Sequence, residues 1–152
     1  MRLTTFTDYS LRVLIFLGLK GDEICTIAEI AEAYGLSQNH LMKVVHHLAG
    51  LGHVRTLRGK GGGLHLAREP AGINLGAVAR ACEGRMVLAE CFEPEHGCCI
   101  EQACALKGIF YQAGEAFFAV LDRYSLADLL RPRQALAARL GIPGRTHLER
   151  FS

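Results

Sequence analysis

The sequence predicts a mainly α-helical fold with one small β-hairpin. Three observations support this prediction: two short capped helices flank a glycine turn, two alternating strands surround a glycine-rich basic tip, and an apolar stripe recurs at helical spacing after residue 105. Two such helices followed by such a hairpin form the winged helix-turn-helix pattern. Half of the 152 residues are hydrophobic, which is enough for a folded core.

The first predicted helix spans residues 5–20 and is expected to be capped by Thr5 or Thr7. Its apolar residues share one face because they recur at helical spacing. They are Phe6, Tyr9, Val13, Phe16 and Leu17. A second, short helix begins after Thr26, and Glu29 three residues later completes a capping box.

A turn at Gly35 leads into a helix whose exposed side is expected to contact a polyanion. Ser37 is predicted to cap this helix, which runs to about Ala49. Its exposed side would present amides and cations, which are the side chains that hydrogen-bond base edges in a major groove of DNA. The predicted DNA contacts of the helical part are Arg12 on the first helix and Ser37, Gln38, Asn39, His40, Lys43 and His47.

The predicted wing pairs Val54–Leu57 with Leu64–Leu66 across a tip rich in glycine and lysine. The net charge of the chain is only +2, but no carboxylate occurs between Ala33 and Arg68. An acid-free window with many cations favours a polyanion, so we expect double-stranded promoter DNA as a partner. The wing residues predicted to reach phosphates or a minor groove are Arg55, Arg58 and Lys60.

Beyond the wing, the chain is expected to supply a dimerisation element. Asn74 caps a helix that ends near Gly84, and a long helix runs from about Leu106 to Tyr124. Its apolar stripe exceeds what a small domain needs, which predicts a homodimer. The stripe consists of Ile109, Phe110, Ala113, Phe117, Val120 and Leu121. The predicted divisions are the winged helix-turn-helix domain (1–68), a connecting helix with a cysteine loop (69–105), the dimerisation and C-terminal helices (106–140) and a tail (141–152).

The loop between the last two helices named above concentrates the cysteines. Four of the six fall between Cys91 and Cys104, where Pro94 and Gly97 prevent a helix. Six residues separate Cys91 from Cys98 and five separate Cys98 from Cys104, which is looser than the cysteine pairs of structural zinc sites. Three well-spaced thiolates suit a larger object, such as an iron–sulfur cluster. Zinc, a thiol–disulfide switch and inert thiols are the alternatives.

The other candidate residues have ordinary interpretations when taken alone. Cys25 and Cys82 lie on or beside apolar helical faces and are expected to be packing residues. By itself Asp8 would be a surface carboxylate, His96 a solvated loop side chain, and Lys107 an ammonium that cannot bind a metal.

Cellular location and enzymatic activity are both constrained by what the sequence lacks. The sequence has no secretory signal and no apolar run as long as a membrane span, which predicts a cytoplasmic protein without membrane contacts. In that compartment clustered cysteines bind metals more often than they form disulfides. The sequence also lacks a nucleophile–base pair, so we do not expect an enzyme.

Several motifs together resemble the Rrf-type repressors. They are the opening Met1–Tyr9, the winged helix, Gly61–Gly63 and three loop cysteines before a long helix, and the resemblance extends to about Leu140. Members of this family are bacterial winged-helix regulators, usually dimeric and often carrying an iron–sulfur cluster. Phe6-Thr7-Asp8-Tyr9 with Cys91-Phe92-Glu93-Pro94 is most similar to the nitric-oxide-sensing members.

That resemblance implies a [4Fe–4S] cluster, with [2Fe–2S] as the alternative. The implied ligands are Cys91, Cys98 and Cys104, with Cys99 as a substitute for Cys98, and Asp8 from the partner subunit. Cluster-biogenesis regulators of the family use a histidine where this chain has Lys107, which argues against a ligand of that type. The implied function is a repressor that releases DNA when nitric oxide attacks the cluster. An iron- or redox-sensing repressor and a zinc or thiol-switch repressor are the alternatives.

Overall fold

The computed structural model of the chain describes residues 2–84, 87–94 and 97–143. Within these ranges the fold is mainly helical with a small two-stranded sheet, as the sequence predicts. The helices are α1 (Thr5–Lys20), α2 (Ile27–Tyr34), α3 (Gln38–Gly50), α4 (Leu75–Glu83), α5 (Leu106–Leu121), α6 (Leu126–Leu129) and α7 (Arg133–Arg139). The strands are β1 (Val54–Leu57) and β2 (Gly63–Leu66), and short 3₁₀ turns occur at Pro70–Gly72, Glu90–Phe92 and Glu101–Ala103.

Helix α1 lies at the centre of the domain and contacts α3, α4, β2, α6 and α7. Val13, Leu14 and Leu17 of α1 are fully buried because they recur at helical spacing on the face toward these elements. Phe6 and Tyr9, which belong to the predicted apolar face, lie half-buried beside this core. The residues of α3 in the same core are Leu41, Val44, Val45 and Leu48. Apolar packing therefore fixes how α3 lies against α1.

The wing is an antiparallel hairpin in which Val54 pairs with Leu66 and Leu57 pairs with Gly63. Cys25, just before α2, adds a bridge to Leu64 on the other edge of β2. A Cβ atom at Gly63 would lie 2.5 Å from the carbonyl oxygen of Cys25, so only glycine permits this close approach. The wing is thus attached to the helical core through the backbone that precedes α2.

The helix caps agree with the predictions at α2 and α4 and differ at α1. Thr26 and Glu29 form the predicted capping box, and Asn74 accepts a hydrogen bond from the backbone nitrogen of Ala77. The cap of α1 is Thr4, whose hydroxyl accepts from the backbone nitrogen of Thr7, so the prediction of Thr5 or Thr7 is wrong. Several threonines in a row offer equivalent caps, and hydrogen bonds from Thr4 to Glu83 select among them.

Helix α5 ends at Leu121, earlier than the predicted Tyr124. Contacts with α4 explain the difference. The guanidinium of Arg80 donates two hydrogen bonds to the Asp122 carboxylate at 2.5 and 2.8 Å, and this bonding lowers the pKa of Asp122. The backbone nitrogen of Leu75 also donates to the Tyr124 carbonyl. These bonds turn the chain onto the start of α4.

Gly76 allows this close approach between α4 and the end of α5. A Cβ atom there would overlap the Asp122 carboxylate and lie 2.9 Å from its backbone nitrogen. We therefore expect Gly76→Ala to lower the free energy of unfolding by about 1–3 kcal/mol through overpacking, measured by urea denaturation. The control is Gly72→Ala, because nothing lies within 4 Å of the added atom. Equal stability of the two variants would contradict this account of the α4–α5 contact.

Two remaining predictions concern the C-terminal tail and contact with a membrane. The predicted tail is described only to residue 143, and its remainder lies outside the described residues. Along the described ranges, no helix is both long enough and apolar enough to cross a lipid bilayer.

Candidate nucleic-acid interface and cysteine loop

Helix α3 presents a largely polar face to solvent. Gln38, Asn39, His40 and Lys43 are exposed, as predicted, while the apolar residues of the opposite face are buried. Ser37 precedes the helix and is also exposed, but its side chain makes no cap hydrogen bond within the chain. An exposed helix face with amides, a lysine and no carboxylate has the chemistry required for a DNA major groove.

The histidines near α3 differ in their exposure. His40 is exposed and its ring lies 6.4 Å from that of Tyr9 on α1. His47, predicted on the exposed side, instead packs edge-on against Phe6 at 5.3 Å, and its Nε2 atom is buried without a hydrogen-bond partner. His46 is exposed in its place. Burial, together with the nearby positive charge of Arg68, lowers the pKa of His53.

The prediction that His47 lies on the exposed side of α3 is therefore wrong, because His47 is half-buried, whereas His46 is exposed. The DNA contact predicted for His47 stays a prediction. The two histidines are adjacent in sequence, so the helical period alone does not show which of the two side chains faces solvent. The deciding signal is Phe6, which lies where the His47 ring can pack against it.

The predicted cations fall into two groups. Arg55, Arg58 and Lys60 of the wing are exposed. Arg12 is different, because its Nε atom lies 2.9 Å from the Asp8 carboxylate and its guanidinium lies 5.6 Å from the centre of the Tyr34 ring. Within one chain, Asp8 therefore neutralises the only predicted DNA contact on α1.

Asp8 lies in the first turn of α1 with its side chain about half-exposed. The neighbouring residues attach this turn to two other helices. Tyr9 contacts His40 on α3, and Glu83 at the end of α4 accepts hydrogen bonds from the hydroxyl groups of Thr4 and Thr7. The first turn of α1 is therefore connected to α3 and to the end of α4.

The cysteine loop begins after α4 and ends at α5. Cys91 and Cys104 are half-buried at its two ends, while Cys98 and Cys99 are exposed between them. Phe92 is buried and belongs to the 3₁₀ turn Glu90–Phe92. Lys107 pairs with Glu101, so the ammonium at this position is engaged in an ion pair.

The four loop cysteines are free thiols and are not gathered into a metal site in the single chain. Over residues 2–84, 87–94 and 97–143, no three side chains of histidine, cysteine, aspartate or glutamate lie close enough to hold a metal ion. His96 lies outside the described residues. The donor set nevertheless fits an iron–sulfur cluster, because free thiols and a half-exposed carboxylate are suitable ligands.

The two remaining cysteines have the packing roles expected from the sequence. Cys25 is fully buried, and burial raises the pKa of its thiol to about 12. Cys82 is half-buried, donates to the Ser10 hydroxyl at 3.4 Å, and has a pKa raised by burial. Thiols that resist ionisation are poor metal ligands, so the ligand candidates remain those of the loop.

Helix α5 leaves half of its predicted apolar stripe exposed. Ile109, Ala113 and Val120 are exposed, and Phe110, Phe117 and Leu121 are half-buried. Outside the stripe, Leu106 and Tyr111 are also exposed, while Gly114 and Phe118 are buried. This open apolar face is the feature expected of a dimer seam, although the single chain does not test the homodimer.

Comparison with known proteins links these features to one family. The family model Rrf2, described as an iron-dependent transcriptional regulator, matches residues 3–132. The chain is 46% identical over 136 residues to the HTH-type transcriptional regulator NsrR of Bacillus subtilis (strain 168), covering 88% of this chain and 93% of that protein. It is also 46% identical over 143 residues to NsrR of Geobacillus kaustophilus, covering 92% and 97%.

Solved structures show the same fold. T. potens IscR superposes with a TM-score of 0.71 at 26% identity, over 90% of each chain. CymR of B. subtilis, described as the global cysteine regulator, superposes with a TM-score of 0.67 at 29% identity, over 85% of this chain and 95% of that chain.

Proposed function

The chain belongs to the Rrf2 family of iron-dependent transcriptional regulators, and from this membership we propose a dimeric repressor that releases DNA in response to nitric oxide. The family resemblance seen in the sequence is thereby confirmed, and the protein is a transcriptional regulator of the NsrR type, not an enzyme. The identity of the signal, the cluster type, its ligands and the dimer are parts of the proposal.

The DNA-binding part of the proposal rests on α3 and the wing. Buried Leu41, Val44 and Leu48 hold α3 against α1, so that its polar face projects from the domain. The wing cations would contact phosphates, which position the protein without reading sequence. In a dimer joined through the open face of α5, two α3 helices would enter successive major grooves, about one turn of DNA apart.

For the cluster, Cys91, Cys98 and Cys104 of one subunit and Asp8 of the partner subunit would be the ligands. Cys99 is the substitute for Cys98. When bound, a [4Fe–4S] cluster supplies iron that reacts with nitric oxide. Asp8 would be the ligand most easily displaced, because a carboxylate is a hard donor among soft thiolates.

Asp8 would then act as the link between the loop and the DNA-reading helix. While it is held by the partner's loop, the first turn of α1 is fixed relative to the other subunit. Once released, Asp8 is free to pair with Arg12, as it does in the single chain. Because Tyr9 of this turn contacts His40 on α3, its release would alter the spacing of the two α3 helices.

The observation that carries this proposal is that one turn of α1 holds both a half-exposed carboxylate and the aromatic contact with α3. The test uses protein purified without oxygen and a DNA duplex that the protein itself selects from a random library. We expect visible absorbance, about four irons per chain for a [4Fe–4S] cluster, and a fall in DNA affinity of roughly tenfold or more after nitric oxide addition. Measurements are iron and sulfide analysis and fluorescence anisotropy.

The family description as iron-dependent favours one alternative signal, iron itself. A coloured protein that keeps its DNA affinity with nitric oxide, but loses it when iron is chelated, would support iron sensing and exclude the nitric oxide response. Colourless protein that carries zinc would support the zinc or thiol-switch repressor instead.

A further inference from the structure

One exposed apolar side chain interrupts the polar face of α3. Met42 is 56% exposed, whereas the other large apolar residues of this helix are buried. On the helix surface, residues three and four positions apart are neighbours, so Gln38, Asn39 and His46 lie next to Met42, and all three are exposed. The remaining neighbour, Val45, is buried. Met42 therefore lies where the buried side of α3 meets the exposed polar face that the proposed function assigns to DNA.

Isolated apolar residues are common on protein surfaces, so position is what makes Met42 informative. Its face contains amides, a lysine and histidines, and the surrounding sequence has no carboxylate between Ala33 and Arg68. The occupant of such a face is a polyanion. An unbranched, flexible thioether exposed on that face is suited to pack against an apolar group of the DNA.

In the major groove, the exposed apolar group of the bases is the C5-methyl group of thymine. We propose that Met42 is a specificity-determining residue that contacts a thymine methyl group in each half-site. This inference rests on the proposed DNA-binding function and adds to it a base preference at one position. Amides and Lys43 would supply the hydrogen bonds on either side of this apolar contact.

The experiment removes the methyl group from the DNA and the thioether from the protein in turn. The probe is the duplex that the cluster-loaded protein selects from a random library, with each thymine replaced singly by uracil. At one or two positions per half-site, uracil is expected to weaken binding by the wild-type protein about fourfold, the value of one buried methyl group. Met42→Ala is expected to bind the thymine and uracil duplexes equally at those positions.

Two control variants separate this contact from general effects. Met42→Leu keeps an apolar side chain and should retain the thymine preference. Lys43→Ala should weaken binding to both duplexes and leave their ratio unchanged, because a phosphate or guanine contact does not sense the methyl group. Circular dichroism of each variant would establish that the fold is intact.

The outcomes distinguish this inference from the function on which it rests. If Met42→Ala retains the full thymine preference at every position, the inference is wrong and the DNA-binding function stands. If the wild-type protein selects no duplex at all, the proposed function fails and the inference fails with it.

Discussion

Replacing Cys104 by alanine is expected to give a protein without visible absorbance and with less than one iron per chain. Cys104 lies half-buried immediately before α5, at the fixed end of the cysteine loop. In this variant only two loop thiolates and one carboxylate would remain as ligands. Water could take the vacant position, but its hard oxygen replaces a soft thiolate poorly. The measurement is absorbance with iron analysis after purification without oxygen.

Cys82→Ala is the matched control for this experiment. It also removes a half-buried thiol, but one that donates to Ser10 and lies outside the loop. This variant is expected to retain full iron content. Equal iron in Cys104→Ala and wild type would contradict the proposed ligand set.

The same iron analysis shows which of the two adjacent cysteines, Cys98 or Cys99, is the ligand. Both thiols are exposed in the single chain, so exposure does not select between them. We expect Cys98→Ala to lose iron and Cys99→Ala to retain it. The reverse result would identify Cys99 as the ligand and leave the rest of the site unchanged.

Asp8→Ala is expected to keep the cluster and to lose the effect of the cluster on DNA affinity. Three thiolates would still hold iron, but the carboxylate link to the partner's loop would be absent. The ratio of DNA affinities with and without the cluster, expected to be roughly tenfold or more in the wild type, should fall toward one. Anisotropy titrations of cluster-loaded and cluster-free protein on the selected duplex give this ratio.

The control for Asp8→Ala is Arg12→Ala, which breaks the same ion pair and keeps the carboxylate. This exposed pair contributes less than about 1 kcal/mol to stability, so neither variant should unfold. Because Arg12 is itself a predicted DNA contact, Arg12→Ala should weaken DNA binding with and without the cluster and leave the ratio of the two affinities unchanged. If Asp8→Ala shows the wild-type absorbance spectrum and the wild-type ratio, Asp8 is not a cluster ligand.

Local signals were sufficient to predict most of the fold. The span of α1, the capping box at Thr26, the Asn74 cap and the pairing of β1 with β2 all depend on residues a few positions apart. Caps, turns and periodic apolar residues act over that range, and their agreement along the chain leaves few alternatives. The clustering of cysteines in the loop and the acid-free window belong to the same group, because both are properties of consecutive residues.

The features that were missed depend on contacts between distant segments. Glu83 selects Thr4 as the cap of α1 across 79 positions of sequence. His47 on α3 packs against Phe6 on α1 and is half-buried, whereas His46 is exposed. The two bonds from Arg80 to Asp122 lie just beyond the end of α5 at Leu121, three residues before the predicted end at Tyr124.

The sequence by itself determined the fold class, the family and the chemical character of the candidate ligands, because these follow from residue type and short-range spacing. Only the tertiary structure decided which side chains of α3 face solvent, that Asp8 pairs with Arg12, and that Met42 stands exposed among polar neighbours. The physical reason is that burial and pairing are properties of two surfaces in contact, and each surface is assembled from segments that are far apart in the chain.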